Sequence, residues 1–326
     1  MRILVTGGAG YIGSVTVEML MASGHGVVVF DNLTRGHREA VAPGARFVRG
    51  DVRETDAVAR LLREERIDCV MHFCASSLVG ESMAHPERYF TNNVTGMVSL
   101  LDAMTAANVP RIIFSSSAAV YGEPERVPIE EEASVRPTNP YGETKAIAER
   151  LLSWMRQVHG LRYATLRYFN AAGASQERGE DHTPETHLIP LALAAAAGES
   201  PPLPVFGRDY PTPDGTCVRD YIHVRDLAAA HIRALERLDS LEETTFNLGN
   251  GAGYSVLEVI RSVERVTGRP VPVEDAPRRA GDPARLVASS ARARAALGWD
   301  PRLGELDRIV NDAWQWKLRF PRGYAS

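Results

Sequence analysis

Cysteine is nearly absent from this chain: Cys69, Cys74 and Cys217 are the only three in 326 residues. So few thiols exclude a disulfide framework and suit a reducing compartment, so a cytoplasmic protein is expected. Positive charge is not in excess either. Thirty-seven Lys and Arg face 41 Asp and Glu, a net charge of -4, and with no basic tract nucleic acid is not an expected partner. Long apolar runs are missing: Leu188 to Ala197 is too short to span a bilayer and has a proline near its start. The first residues pass directly into a strand-like run, so neither a signal peptide nor a membrane partner is expected. The nine histidines form no HxxxH pair and the cysteines no CxxC, so no metal site is expected. Repeats and low-complexity tracts are also lacking. What remains, 44% hydrophobic and 24% charged residues, is the balance of a folded chain of about two domains.

Glycine is concentrated at the N-terminus. Arg2 to Thr6 is a short apolar run of strand type, broken sharply by Gly7-Gly8-Ala-Gly10-Tyr11-Ile12-Gly13. Ile12, Val15, Met19 and Leu20 then recur at helical spacing. Strand, glycine turn and helix together let backbone N–H groups approach a pyrophosphate at a helix N-terminus. A second strand-like run, Val27 to Phe30, ends at Asp31, eighteen residues after Gly13. An acid there accepts hydrogen bonds from an adenosine ribose and repels a 2′-phosphate, which favours NAD over NADP. Arg35 and Arg38 are read as solvated loop charges.

Further on, Tyr141-Gly-Glu-Thr-Lys145 follows Ser115-Ser-Ser117. A tyrosine four residues before a lysine shares its helix face, where an ammonium can stabilise a phenolate. A free Tyr ionises near pH ~10, so a base useful near pH ~7 needs about 4 kcal/mol of differential stabilisation. One lysine and an oxidised nicotinamide are plausible sources of it.

Strand-like runs at 46–49, 69–73, 111–116 and 163–167 alternate with helical patterns at 55–65, 86–107 and 141–159. Such alternation predicts an α/β fold, a Rossmann-type doubly wound parallel sheet whose strand ends form one crevice. Phe73, Asp51 and Ser115 to Ser117 fall at strand ends in this reading. Residues 173–186 are polar and loop-like, and 199–215 hold five prolines. Helical patterns return at 226–238, 255–267, 289–297 and 303–320. The expected division is a dinucleotide-binding domain over 1–168 and a smaller C-terminal α/β substrate-binding domain over 169–326, with about 216–238 returning to the first.

With these motifs in place the chain resembles the extended short-chain dehydrogenase/reductase family, and within it the UDP-sugar 4-epimerases. The resemblance runs almost end to end. It rests on Gly7 to Ser14, Gly50-Asp-Val-Arg53, His72-Phe73 with Val79-Gly-Glu-Ser82, and Asn92-Asn-Val94. It continues through Phe114 to Ser117 with Val120-Tyr-Gly122, Arg167-Tyr-Phe-Asn170, Phe206 to Thr212 and Val218 to Val224, then Ala276 to Arg279 with Gly281-Asp282. It implies interconversion of UDP-glucose and UDP-galactose. Tyr141, aided by Lys145, takes the sugar 4-hydroxyl proton, the C4 hydride passes to retained NAD, and the 4-keto sugar turns over to take it back. Ser117 assists at the 4-oxygen. It also implies that Gly7, Gly10, Tyr11, Ile12, Gly13, Asp31, Asn32, Asp51, Val52, Phe73, Asn92, Tyr141, Lys145 and Tyr168 meet the cofactor. Ser117, Tyr141, Asn170, His187, Leu188, Phe206, Arg219, Tyr221, Arg279 and Asp282 match the UDP-sugar site, where two arginines suit a diphosphate.

Three departures refine this. Where some epimerases place a cofactor-touching lysine between Phe73 and Val79, this chain has Ala75-Ser-Ser-Leu78. Ala118 and Ala119 follow Ser117, where 4,6-dehydratases of the same fold carry an acid to expel the 6-hydroxyl; two alanines cannot do so. Leu286 falls near the position that limits bulk at the sugar 2-position. His187 is read either as a uracil or ribose contact or as a helix cap. A UDP-pentose or UDP-glucuronate 4-epimerase shares all this chemistry, and a silent dinucleotide-binding protein would need none of Ser117, Tyr141 and Lys145. The family implies a homodimer through helices 86–107 and 141–159.

Overall fold

The computed structural model describes residues 1–279 and 282–324, so Gly281 of the last motif lies outside the described residues. Six strands come from the first half: β1 (Arg2–Thr6), β2 (Gly26–Asp31), β3 (Arg46–Arg49), β4 (Cys69–His72), β5 (Arg111–Ser117) and β6 (Arg162–Tyr168). Between them run α1 (Tyr11–Ala22), α2 (Thr55–Glu64), α3 (Val79–Ala84), α4 (Pro86–Tyr89), α5 (Gly96–Ala106) and α6 (Pro140–His159). The second half adds β7 (Asn170–Ala172), α7 (Leu188–Ala197), β8 (Leu203–Phe206), β9 (Val218–Arg219), β10 (Tyr221–His223) and α8 (Val224–Arg237). It closes with β11 (Thr245–Leu248), β12 (Tyr254–Ser255), α9 (Val256–Thr267), β13 (Val273–Ala276), β14 (Arg285–Leu286), α10 (Ala291–Leu297) and α11 (Leu306–Arg319).

Seven strands form one parallel sheet in the order β11-β6-β5-β4-β1-β2-β3. Alternate strand residues serve opposite faces. Ile3, Val5, Val29 and Met71 pack on the side of α1 and α8, while Leu4, Val28, Val70 and Ile112 pack on the side of α2, α5 and α6. Because both faces are covered, the strands read as nearly unbroken apolar runs. The winding direction reverses between β1 and β4, which opens the crevice at their carboxyl ends.

Two elements differ from the sequence reading. The pattern over 86–107 is not one helix: a π-helical turn, Phe90–Thr95, separates α4 from α5. Its buried Asn93 is drawn toward α6, bonding Ser76 and the Thr144 hydroxyl, and such widened turns recur at functional sites. The sheet also gains β11, whose Thr245 to Leu248 pair with Thr165 to Tyr168. The chain returning to the sheet therefore extends beyond 216–238: α8 packs on α1, and α10 packs on α8 and β11. The remaining strands are short pairs and a three-stranded sheet, β12-β9-β14. Of these, β7, β8, β10 and β12 share a separate core with α7, α9 and α11. Among the described residues no helix is long and apolar enough to cross a membrane.

Candidate active site

The glycine loop is shaped by close approach. Gly7 has φ +75, and a Cβ there would lie 2.6 Å from the Cys74 nitrogen; one at Gly13 would lie 2.2 Å from the Gly7 carbonyl oxygen. Neither position tolerates a side chain. A Cβ at Gly10 would meet only the Gly7 carbonyl oxygen, at 3.4 Å, so its outer side is open. Gly10 precedes α1 and offers no capping side chain. The first-turn N–H groups are thus left for an anion, and the loop fits a dinucleotide pyrophosphate.

Asp31 ends β2, and its carboxylate accepts the Ala9 N–H at 3.0 Å and the Leu33 N–H at 2.9 Å. Burial raises its pKa while these two bonds oppose the shift. Asn32 donates to Asp51 at 3.2 Å, and Arg53 clamps Asp51 through Nε at 2.8 Å and Nη2 at 2.7 Å. That clamp holds the Asp51 carboxyl well below the usual range. Arg35 and Arg38 are not free loop charges: Arg35 pairs with Glu81 at 3.1 Å and bonds the Thr183 carbonyl, and Arg38 lies over the Phe47 ring. Val52 is buried beside Gly96. Asn92 lines a cavity of about 290 Å³ with Arg53, Ser76, Glu87, Arg88 and Thr91. Phe73 packs on the ring of His231, with centroids 4.8 Å apart, and the Tyr168 hydroxyl bonds His231 Nε2.

Near the end of β5 stand the three expected catalytic residues. Ser117 closes β5 in extended backbone, and its hydroxyl accepts the Ala119 N–H at 3.2 Å. Tyr141 and Lys145 lie in the first turns of α6, which Asn139 caps through the Gly142 N–H at 2.9 Å. Lys145 is 3% exposed. Its Nζ donates to the Ser115 carbonyl at 2.7 Å and sits 5.9 Å from the Tyr141 ring centre. Burial draws its pKa down to about 8, so it stays mostly charged at neutral pH. Tyr141 shares this helix face with Lys145. Burial raises the pKa of Tyr141, and only the hydrogen bond with Ser117 works the other way.

Beneath this trio lies a polar network whose register no single motif reveals. Glu149, one turn after Lys145, accepts from Ser116 at 2.6 Å and from Arg167 at 2.9 and 2.6 Å. Arg167 also donates to the Tyr121 hydroxyl at 2.8 Å, which donates in turn to Asn247 of β11 at 2.7 Å. The network fixes α6 against β5 and β6 and so fixes Lys145.

Apart from Ser117 and Tyr141, the expected UDP-sugar residues lie in the second half of the chain. Asn170 begins β7, and Leu188 begins α7. Arg279 lies over the Phe206 ring, 4.0 Å from its centre. Arg219 reaches Asp282 at 3.2 Å and the Pro283 carbonyl at 2.8 Å. Tyr221 stands apart: its ring is buried in the core shared by α7, α9 and α11. Leu286 packs on the cluster that contains Ala118, Val120 and Phe169. His187 makes no side-chain cap on α7. It faces Glu180 at 2.7 Å and Glu185 at 2.9 Å instead.

The NAD dependent epimerase/dehydratase family model matches residues 3–249. The chain belongs to this family. It is 50% identical to the UDP-glucose 4-epimerase of Lacticaseibacillus casei, covering 100% of this chain and 99% of that protein. A crystal structure of a UDP-glucose 4-epimerase superposes with TM-score 0.97 at 51% identity, covering both chains fully (100% of each). The Bifidobacterium longum UDP-glucose 4-epimerase, solved in complex with NAD+ and UDP, superposes with TM-score 0.95 at 39% identity over 99% of this chain and 100% of that one. Within this family fold, sequence reasoning missed His231, Glu149 and Asn247. The two E-x-H pairs, Glu180/His182 and Glu185/His187, have neither HxxxH nor CxxC spacing and give no metal signal in the sequence.

Proposed function

We propose that this protein is an NAD-dependent UDP-glucose 4-epimerase that interconverts UDP-glucose and UDP-galactose. One observation carries the reading: Ser117, Tyr141 and a buried, charged Lys145 meet at the β5 and α6 ends of the crevice, with Ala118 and Ala119 where a dehydratase needs an acid. The glycine loop (Gly7, Gly10, Tyr11, Ile12, Gly13) holds the pyrophosphate, and Asp31 and Asn32 the adenosine ribose. Asp51, Val52, Phe73, Asn92 and Tyr168 complete the cofactor site. NAD, when bound, takes up and returns the C4 hydride and brings a positive ring into the cleft.

Tyr141 accepts the proton of the sugar 4-hydroxyl and later returns it. Lys145 supplies the fixed positive charge that offsets the burial of a phenolate, and Ser117 hydrogen-bonds the 4-oxygen. Arg219 and Arg279 exchange their present contacts for the diphosphate, with Asp282, Phe206, Leu188 and Asn170 around the nucleotide and sugar. Tyr221 supports this site from the core. The protein works in the cytoplasm as a homodimer. Trp154 and Val158, one turn apart on α6, are 63% and 66% exposed, and Val98 on α5 is 49% exposed, an apolar surface suited to a second copy of the chain. Turnover of UDP-galactose against UDP-xylose and UDP-glucuronate tests the substrate: preference for the hexose supports the reading, and preference for a pentose or uronate overturns it.

A further inference from the structure

Residues 180–187 read Glu-Asp-His-Thr-Pro-Glu-Thr-His, two E-x-H units separated by Thr183-Pro184. No regular element occupies this stretch, which runs into α7. Folding brings all four side chains to one point. One ligating atom from each of Glu180, His182, Glu185 and His187 lies within 4.8 Å of every other. The Nδ1 of His187 is 2.7 Å from Glu180 Oε1 and 2.9 Å from Glu185 Oε1. The Nδ1 of His182 is 3.2 Å from the same Glu180 oxygen and 3.9 Å from Glu185 Oε2. Glu180 is deeply placed, its side chain 8% exposed.

Ion pairing leaves part of this arrangement unsatisfied. One Nδ1 proton on His187 cannot point well at two carboxylates, and the buried Nδ1 of His182 finds no hydrogen-bond partner of good geometry. Two imidazole nitrogens and two carboxylates converging on a shared centre are instead a four-ligand N2O2 set. We propose that Glu180, His182, Glu185 and His187 bind one divalent transition-metal ion of the zinc class. Ligand bonds of about 2.0–2.2 Å arranged tetrahedrally place neighbouring ligand atoms roughly 3.3–3.6 Å apart, within the spread already present. Two carboxylates neutralise the dication while both imidazoles bind uncharged, the usual form of His as a ligand.

With four protein ligands the ion is structural, with no position left for substrate. It clamps the segment between β7 and α7 against the glycine loop. Tyr11 of that loop meets the His182 ring edge-on at 6.4 Å and donates to the Gly173 carbonyl at 2.6 Å. His187, the last ligand, directly precedes Leu188. The ion therefore links the cofactor loop to the first residue of α7, and this inference stands whether or not the chain epimerises UDP-sugars.

The test uses the NAD-loaded protein. After removal of metal by a chelator, Zn2+ or Co2+ is added back, and bound metal is counted by mass spectrometry after gel filtration. The expected result is one ion per chain, visible d–d bands of tetrahedral Co2+, and a thermal midpoint that falls on stripping and recovers on reloading. His182→Ala and Glu180→Gln should each lose the ion while far-ultraviolet circular dichroism reports a folded chain. If wild-type protein gives no tetrahedral Co2+ bands, or if the variants take up as much metal as wild type, the site does not exist and the cluster is an ion-pair network.

Discussion

The polar network under α6 and the arginine pairs on the outside of the cap hold charge in opposite ways. Under α6 the Glu149–Arg167 pair is buried, with side chains 12% and 7% exposed, and bidentate. In the cap, Arg208 and Arg278 pair with Asp275 and Asp209, whose carboxylates lie largely in solvent. A buried pair with every partner satisfied has one arrangement, whereas an exposed pair exchanges readily with water. The proposed proton-transfer groups accordingly stand beside fixed side chains, whereas the Arg219–Asp282 pair of the proposed diphosphate site lies between the two cases, with side chains 12% and 32% exposed. Buried charge also occurs on the cap side: Asp220, fully buried, accepts N–H groups from Asn250, Gly251 and Ala288 at 2.7, 2.9 and 3.0 Å, tying the cap strands to the sheet side.

Substitutions sharpen the contrast. The largest loss should come from Tyr141→Phe, with turnover of UDP-galactose falling about 10²–10⁴-fold, the usual worth of a positioned acid–base group, while bound NAD persists. A variant that loses NAD as well would make Tyr141 a binding residue first. Glu149→Ala leaves the Arg167 guanidinium buried without its partner and should cost about 3–5 kcal/mol in denaturant unfolding; a cost below that of a surface pair would dissolve the distinction between the network and the outer pairs. Arg279→Ala removes a charge-assisted contact worth about 1.5–3 kcal/mol. KM for the UDP-sugar should rise, with kcat nearly kept.

The pH dependence follows from Lys145. Its pKa is drawn down to about 8, so its charge is present at pH 7 and mostly gone by pH 9, where Tyr141 ionises more readily unaided. Relative to wild type, Lys145→Ala should thus lose about ten times more activity at pH 7 than at pH 9, one pH unit of phenol stabilisation being a factor of ten. Equal loss at both would count against electrostatic support of the phenolate. The smallest effect belongs to Arg208→Ala, whose exposed pair should contribute less than about 1 kcal/mol to stability.

The same contrast explains what could be read from the chain. Every strand of the sheet in the first half was legible within a residue or two, because burial on both faces writes a continuous apolar run between glycine and helix signals. β11 was not, since Thr-Phe-Asn-Leu is short and carries a polar Asn247 that only the buried network under α6 explains. In the cap, strands of two to four residues such as β9 and β13 leave too little pattern to see. Ser117, Tyr141 and Lys145 stood out by their spacing. The raised pKa of Tyr141 did not, because desolvation belongs to the folded surroundings and not to the motif. His187 reads from the sequence as a uracil or ribose contact or as a helix cap; its two carboxylate partners require the loop to fold.

The central claim is that the sheet half performs a closed oxidation and reduction at one sugar carbon with a cofactor the protein keeps. Purified protein should be given UDP-galactose with no added NAD, following product sugar together with absorbance at the reduced-nicotinamide band. The account predicts UDP-glucose with no net reduction. No product, or product only when NAD is supplied and consumed, would contradict it.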